Sequence, residues 1–321
     1  MKPRLWIEFK VPQDFLEPLS GLVEIVNGDG PHKLAGSRIA IRSPGLAIDA
    51  GFMDSVGPRL QLLPMPGTGL DHIDIPAASD RGILVCNNPD APCESTAEHT
   101  VGLLLAVAKR IVSGDRQLQA GAVDRASLVG SELRGRTLGV LGYGRIGRRV
   151  AEICTVGLKM KALVYGPRLR PGAPLAEGIA IASSLDSVFE QADVVTLHTP
   201  LSAETRHLVR ERHLRLMKRG SYLINTSRGA VVDEDALTRV LQEGHLAGAG
   251  LDVFNPDPPA GDNPLLHMPN VVATPHIAPF TDESFRAMWS GVARQTGQLL
   301  RGERPDNLAN PEVWPGRPGQ G

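Results

Sequence analysis

The sequence predicts an α/β fold with parallel sheets, on three observations. Short apolar runs alternate with amphipathic segments from end to end, the pattern of strands joined by crossover helices. Gly (35) and Pro (26) punctuate those runs as turns, without repeats or low-complexity tracts. The 321 residues, at roughly 150 per domain, suffice for two domains with cores of their own.

Taken in order, strands are predicted at residues 5–9, 22–26, 38–41, 60–63 and 83–86, separated by helix-like stretches. Residues 95–119 keep apolar side chains at helical spacing for longer than most globular helices, so one long helix connecting two lobes is expected there. A second series follows: strand 137–141, helix 145–156, strand 161–165, helix 185–191 and strand 193–197. Strands at 221–225, 247–253 and 271–273, a helix at 234–243 and another at 283–300 complete it, and the residues after 300 read as an extended or frayed tail.

Composition removes several function classes. Lys plus Arg (34) balance Asp plus Glu (35), leaving a net charge of -1 and no overall field that favours nucleic acid or an anionic membrane. Aromatics at 4% offer few base-stacking platforms. Apolar stretches such as 103–108 fall far short of the ~20 residues of a membrane span, and Glu8 interrupts what a signal peptide would keep apolar. Cys86, Cys93 and Cys154 lack C-x-x-C spacing, which points to a reducing cytoplasm and to neither a disulfide framework nor a metal site.

The central motif is TLGVLGYGRIG, a strand running directly into Gly142-Tyr143-Gly144-Arg145-Ile146-Gly147 and then a helix. The first glycine permits the tight turn and the second lets backbone N–H groups approach a pyrophosphate. The third packs helix on strand, with the helix N-terminus facing the anion. In NAD-binding units an acid about 20 residues on accepts from the adenosine ribose. Here that strand ends at Gly166, followed by Arg168 and Arg170. Two guanidiniums and no carboxylate favour a 2′-phosphate, hence NADP over NAD; as solvated loop charges they would leave both cofactors usable.

Three polar clusters follow strand-like runs and so belong at the carboxyl edge of one sheet, where open α/β sheets bind ligands. They are Thr226-Ser227-Arg228-Gly229, the stretch from Asp252 to Asp257, and Thr274-Pro275-His276. An Arg can grip a carboxylate and polarise its carbonyl, a His can move a proton, and an acid can orient the His. Beside a nicotinamide, that set suits hydride transfer to a 2-oxo acid.

With PGTGLDHIDIPAASDRGILVCNNP, STAEHTVGLLLAVAKR, ADVVTLHTPLSAETRHLV, MKRGSYLINTSRGAVVDEDAL, GHLAGAGLDVFNPDPP and NVVATPHIA in that order, the chain resembles the D-isomer-specific 2-hydroxyacid dehydrogenase family over nearly its whole length. The resemblance implies two Rossmann-like lobes with parallel sheets, a cofactor domain (98–278) inserted in a discontinuous substrate domain (1–97 and 279–321). It implies that Arg228 binds the substrate carboxylate and carbonyl, that His276 is the general acid in reduction, and that the backbone N–H groups of Thr68 and Gly69 hold the carboxylate. Gly144, Arg145, Ile146 and Gly147 would hold the pyrophosphate, Asp252 would meet the nicotinamide carboxamide, and Thr199, Pro200, Thr205, Thr226 and Ser227 would line the cofactor groove. A homodimer with helix 95–119 in its interface is implied as well, acting on a small 2-oxo or 2-hydroxy acid.

The chain departs from the family's pattern at two places. Asp257 stands where the family usually has Glu, shorter by one methylene or roughly 1.5 Å of reach, so the backbone must approach His276 or a water must bridge. The missing acid at Gly166 resembles the members that reduce glyoxylate and hydroxypyruvate with NADPH. The alternative is an NAD(P)-sensing regulator, as in the family's co-repressors, although a binding module has no need of Arg228, Asp257 and His276 together. Formate-type oxidation fits less well, since that branch carries Gln at the Asp257 position. Arg42 is expected to face solvent, and Glu98-His99 to be a structural hydrogen-bonding element.

Overall fold

The computed structural model describes residues 2–43, 45–170 and 175–314. They fall into two compact units, Met1–Pro92 with Phe280–Gly321, and Cys93–Pro279. The expected tail is described only to residue 314; its last residues lie outside the described ones.

The first unit carries a five-stranded parallel sheet in the order β2-β1-β3-β4-β5, from β1 (Arg4–Ile7), β2 (Glu24–Asn27), β3 (Ile39–Ile41), β4 (Leu62–Pro64) and β5 (Leu84–Cys86). Both faces are covered, so the strands read as apolar runs whose alternate residues feed different cores. Leu5 and Ile7 join Leu19, Trp289 and Val292 on one face, while Trp6 joins Phe52, Met53 and Ile73 on the other. The chain after the helix Asp282–Leu300 is not frayed as far as residue 314. Buried Asn310 accepts the Val85 N–H at 2.9 Å and donates to the Ile83 carbonyl at 2.8 Å, which blunts the edge strand β5.

The second unit carries a seven-stranded parallel sheet in the order β12-β11-β10-β9-β6-β7-β8. Its strands are β6 (Thr137–Leu141), β7 (Lys161–Tyr165), β8 (Ile179–Ile181), β9 (Val194–Leu197), β10 (Tyr222–Asn225), β11 (Gly248–Leu251) and β12 (Val271–Ala273). The order runs outward from β6 to β8, then returns with β9 on the other side of β6. The crevice between the loops after β6 and β9 is therefore the switch point at which such sheets take ligands. Helix starts follow the sequence chemistry: the side chains of Ser184 and Asp233 accept the N–H of Ser187 and Ala236, three residues on.

The expected single helix over 95–119 is two, Cys93–Ala108 and Ile111–Gln119. Arg110 between them is left-handed at φ 56°, and the Ala108 carbonyl accepts the Ser131 N–H at 2.8 Å instead of continuing the helical ladder. The break is thus a tertiary effect of the incoming segment around Gly130, which periodicity cannot register. The Cys93–Ala108 helix packs on β10 and β11, which is why the second unit begins at Cys93.

Candidate active site

The turn after β6 shows what its three glycines do. Gly142 sits at φ 91°, and a Cβ there would lie 2.5 Å from the His198 carbonyl oxygen. A Cβ on Gly147 would lie 2.1 Å from the Gly142 carbonyl oxygen, so helix and turn touch backbone to backbone. Around Gly144 the space is open, with nothing within 4 Å of a built Cβ. Gly144 caps the helix Arg145–Val156 without a side-chain bond, so the first N–H groups of that helix face this space. A cradle closed behind and open in front, lined by N–H groups at a helix N-terminus, fits a dinucleotide pyrophosphate.

Across the switch point, Thr199 Oγ1 donates to the Leu141 carbonyl at 3.2 Å, and Thr205 Oγ1 donates to the Pro200 carbonyl at 2.7 Å. These contacts fix the loop after β9 beside the glycine turn. His198, in the same loop, has Nε2 3.0 Å from Thr196 Oγ1, and burial pushes its imidazole down to about 3. It is neutral at any working pH and adds no charge to the groove. At the end of β7, Gly166 leaves the ribose position without an acid, and Arg168 and Arg170 are exposed.

Asn225, at the end of β10, shapes the next loop. Its Oδ1 accepts the Ser227 N–H at 3.0 Å and the Ser227 hydroxyl at 2.8 Å, and its Nδ2 donates to the Arg228 carbonyl at 2.9 Å. Thr226 is buried with its hydroxyl 2.8 Å from that of Thr100. Arg228 Nη1 donates to the Ser227 carbonyl at 2.8 Å. A Cβ on Gly229 would lie 2.0 Å from the Phe254 carbonyl carbon, so glycine here lets the Arg228 loop rest directly on the backbone leading to Asp257.

Asp252 is fully buried and organises the loop after β12. Its carboxylate accepts the Thr274 hydroxyl at 2.6 Å and the N–H groups of Ile277 and Ala278 at 2.9 Å each. His99 Nε2 lies 3.0 Å from Thr274 Oγ1, a hydrogen bond that ties the helix Cys93–Ala108 to the loop after β12. Between Thr274 and Ile277, His276 is held at φ 56°, a left-handed conformation costly for His, with its N–H donating to the Asp252 carbonyl at 2.8 Å. That geometry sets the ring against Asp257: Nδ1 lies 2.6 Å from Asp257 Oδ2. The shorter acid therefore reaches His276 directly, by approach of the backbone. An ionised carboxylate only accepts, so Nδ1 carries the hydrogen and Nε2 is left to take up or release a proton.

The edge of the second unit thus assembles the Gly142 turn, Thr199 and Pro200, Thr226 to Arg228, Asp252, Asp257 and His276 from five neighbouring strands. Thr68 and Gly69 belong to the first unit, in the loop after β4, where Asn87 Nδ2 donates to the Thr68 carbonyl at 2.7 Å. Arg42 does not simply face solvent. Its guanidinium lies 4.5 Å over the Phe52 ring, bonds the Ala47 carbonyl and pairs with Glu8 at 3.7 Å. Asn225 and Glu234 escaped the sequence reading as site residues, although an Asn ending a strand was a visible signal. Among the described residues, no group of three or more His, Cys, Asp or Glu could hold a metal, and no helix is long and apolar enough to cross a membrane.

A cradle for a dinucleotide and an imidazole poised to exchange a proton serve one kind of reaction together, which makes the protein a pyridine-dinucleotide-dependent oxidoreductase. Residues 101–278 match the family model described as D-isomer specific 2-hydroxyacid dehydrogenase, NAD binding domain, and the chain belongs to that family. It is 42% identical over 275 residues to a glyoxylate reductase of Thermofilum pendens, spanning 84% of this chain and 80% of the relative. A glyoxylate reductase of Aeropyrum pernix is 40% identical over 328 residues, 97% of each chain. Among solved structures, an NADPH-dependent glyoxylate/hydroxypyruvate reductase from Sinorhizobium meliloti, in complex with NADP and malonate, superposes with a TM-score of 0.84 at 28% identity, covering 99% of this chain and 100% of that one. The protein is an NAD(P)-dependent D-2-hydroxyacid dehydrogenase.

Proposed function

We propose that the protein reduces glyoxylate, hydroxypyruvate or a similarly small 2-oxo acid to the D-2-hydroxy acid, with NADPH preferred. The direct His276–Asp257 pair on the same sheet edge as Arg228 and the glycine turn carries this reading. The reduced nicotinamide, when bound, supplies the hydride that reaches C2. The Arg228 guanidinium pairs with the substrate carboxylate and draws density from the C2 carbonyl. His276 Nε2 gives its proton to the C2 oxygen, and Asp257 stabilises the charged imidazole beforehand. Thr205 and Ser227 help line the cofactor groove in this reading, and Arg168 meets the 2′-phosphate, because no carboxylate at Gly166 repels it.

The test is turnover of the four acids glyoxylate, hydroxypyruvate, pyruvate and phenylpyruvate with each cofactor. We expect kcat/KM with NADPH to exceed that with NADH by about 10-fold or more, and Arg168→Ala to remove most of the margin, one charge-assisted pair being worth about that factor. Arg228→Ala should lower kcat/KM on the order of 100-fold by leaving the carboxylate unpaired. A clear NADH preference overturns the cofactor reading. Tight cofactor binding without turnover of any acid would favour a sensing role instead.

A homodimer belongs to the same proposal. The helix Ile111–Gln119 buries none of its residues, and Leu118 and Val129 are 71% and 76% exposed, with Ile111 and Val123 also exposed nearby. Such an apolar group in one region calls for a partner surface. Light scattering should give a dimer for the native protein and a monomer for Leu118→Glu; a native monomer would refute it. A cytoplasmic location fits the buried thiols of Cys86 and Cys154, which burial pushes up to about 12 and so renders inert.

A further inference from the structure

We infer that Glu234 is the positioning residue that lets the short Asp257 do the work of the longer acid. The inference rests on the reading of His276 as proton donor and of Asp257 as its partner. Glu234 opens the helix Glu234–Gln242, only six residues beyond Arg228, and its side chain reaches out of the helix to a different loop. One carboxylate oxygen accepts the backbone N–H of Asn255 at 2.6 Å, and the other accepts Asn263 Nδ2 at 3.3 Å. Asn255 and Asn263 bracket the segment NPDPPAGDN, which carries Asp257. A single carboxylate thus ties both ends of the Asp257 loop to the start of the helix that follows the Arg228 loop. Pro256 alone separates Asn255 from Asp257, and its fixed φ limits how far Asp257 can move from the tether at Asn255.

The position is an expensive one for an acid. Burial raises the Glu234 carboxyl above the usual carboxylate range, the Asn255 N–H and the Asn263 amide draw it back, and the charges of Asp235 and Asp257 raise it again. The cleft onto which Glu234 opens, about 410 Å³, is lined by Asp233, Asp235 and Asp262 as well as His207, so its surroundings are mostly anionic. Beside the favourable helix N-terminus, the two donors of the Asp257 loop repay a carboxyl placed there. The shortened reach of Asp257 supplies the reason. Its carboxylate meets His276 Nδ1 at 2.6 Å only while the loop backbone is held forward. A displacement on the order of 1 Å at such a contact costs up to about 100-fold in rate.

The test is a double-substitution cycle on the full protein, read as kcat, KM and melting temperature. Glu234→Ala is expected to lower kcat about 10- to 100-fold while KM for the acid and for the cofactor stay within about 3-fold. In an Asp257→Glu background the longer side chain spans the gap by itself, so adding Glu234→Ala should then cost less than about 3-fold. Equal losses in both backgrounds, or no loss in the native one, overturn the inference. Should Glu234→Ala fail to fold, Glu234→Gln keeps the oxygen that meets Asn255 and loses the acceptor for Asn263. A loss of kcat that Asp257→Glu rescues is then expected, and absence of that rescue counts against the tether. His276→Asn and Asp257→Asn run in parallel separate the two levels. If both retain full activity, the proton-donor reading falls; if both lose it and Glu234→Ala does not, only the tether falls.

Discussion

His276→Asn is expected to lower kcat for 2-oxo acid reduction by about 1,000-fold, within the range that a positioned general acid contributes. Asn is the replacement of choice because the backbone at this position is left-handed, φ 56°, which Asn tolerates better than other residues. The His276 side chain is 39% exposed, so its loss leaves no unfilled core, and the melting temperature should move by no more than about 2 °C. Cofactor affinity should stay within about 3-fold, since the cradle after β6 is untouched. The combination of a large kcat loss with unchanged stability and cofactor binding is specific to a reacting group. Asp257→Asn should fall between native and His276→Asn, losing about 100-fold. Asn can still accept from Nδ1, but it offers no charge to the imidazole as it protonates. A His276→Asn enzyme within about 10-fold of native would remove His276 from the proton transfer.

The fold class and the cofactor half of the site were legible because both rest on local rules. A strand running into a glycine turn and a helix has to look like TLGVLGYGRIG, and parallel strands buried on both faces have to read as apolar runs. Arg228 and His276 were visible because each follows such a run, and strand ends in a parallel sheet share one edge. What escaped depends on contacts distant in sequence. The break at Arg110 arises where the segment around Gly130 takes the Ala108 carbonyl. The edge strand Ile179–Ile181 has only three residues and none fully buried, so it carries no strong pattern. The direct His276–Asp257 contact could be posed from sequence as a question of reach, but its answer lies in Gly229 resting on Phe254 and Glu234 bonding Asn255. Arg42 misled for a similar reason: a lone Arg after a strand is usually solvated, and only the fold brings Phe52 and Glu8 beneath it.

Gly142→Ala and Gly144→Ala should separate the two duties of the glycine turn. At Gly142 an added methyl group meets the backbone of His198 and Thr199 at 2.5 to 2.9 Å, and φ 91° is already a conformation that alanine resists. The conformational cost is about 1–2 kcal/mol and the overpacking about 1–3 kcal/mol, so the cofactor unit should lose about 2–5 kcal/mol of stability. Because the clash lies between the loops after β6 and β9, the crevice itself must widen, and cofactor affinity should fall at least about 100-fold. At Gly144 the same methyl group meets nothing within 4 Å, and φ -84° with ψ -158° is ordinary extended backbone. Stability should change there by less than about 1 kcal/mol. The methyl group nonetheless occupies the open side of the cradle, where the pyrophosphate must approach the N–H groups of the helix, so affinity should drop about 10- to 100-fold. Thermal melts and cofactor titrations of the two variants decide the matter. If Gly144→Ala bound the cofactor as tightly as the native protein, the open face of the turn would not be where the pyrophosphate sits.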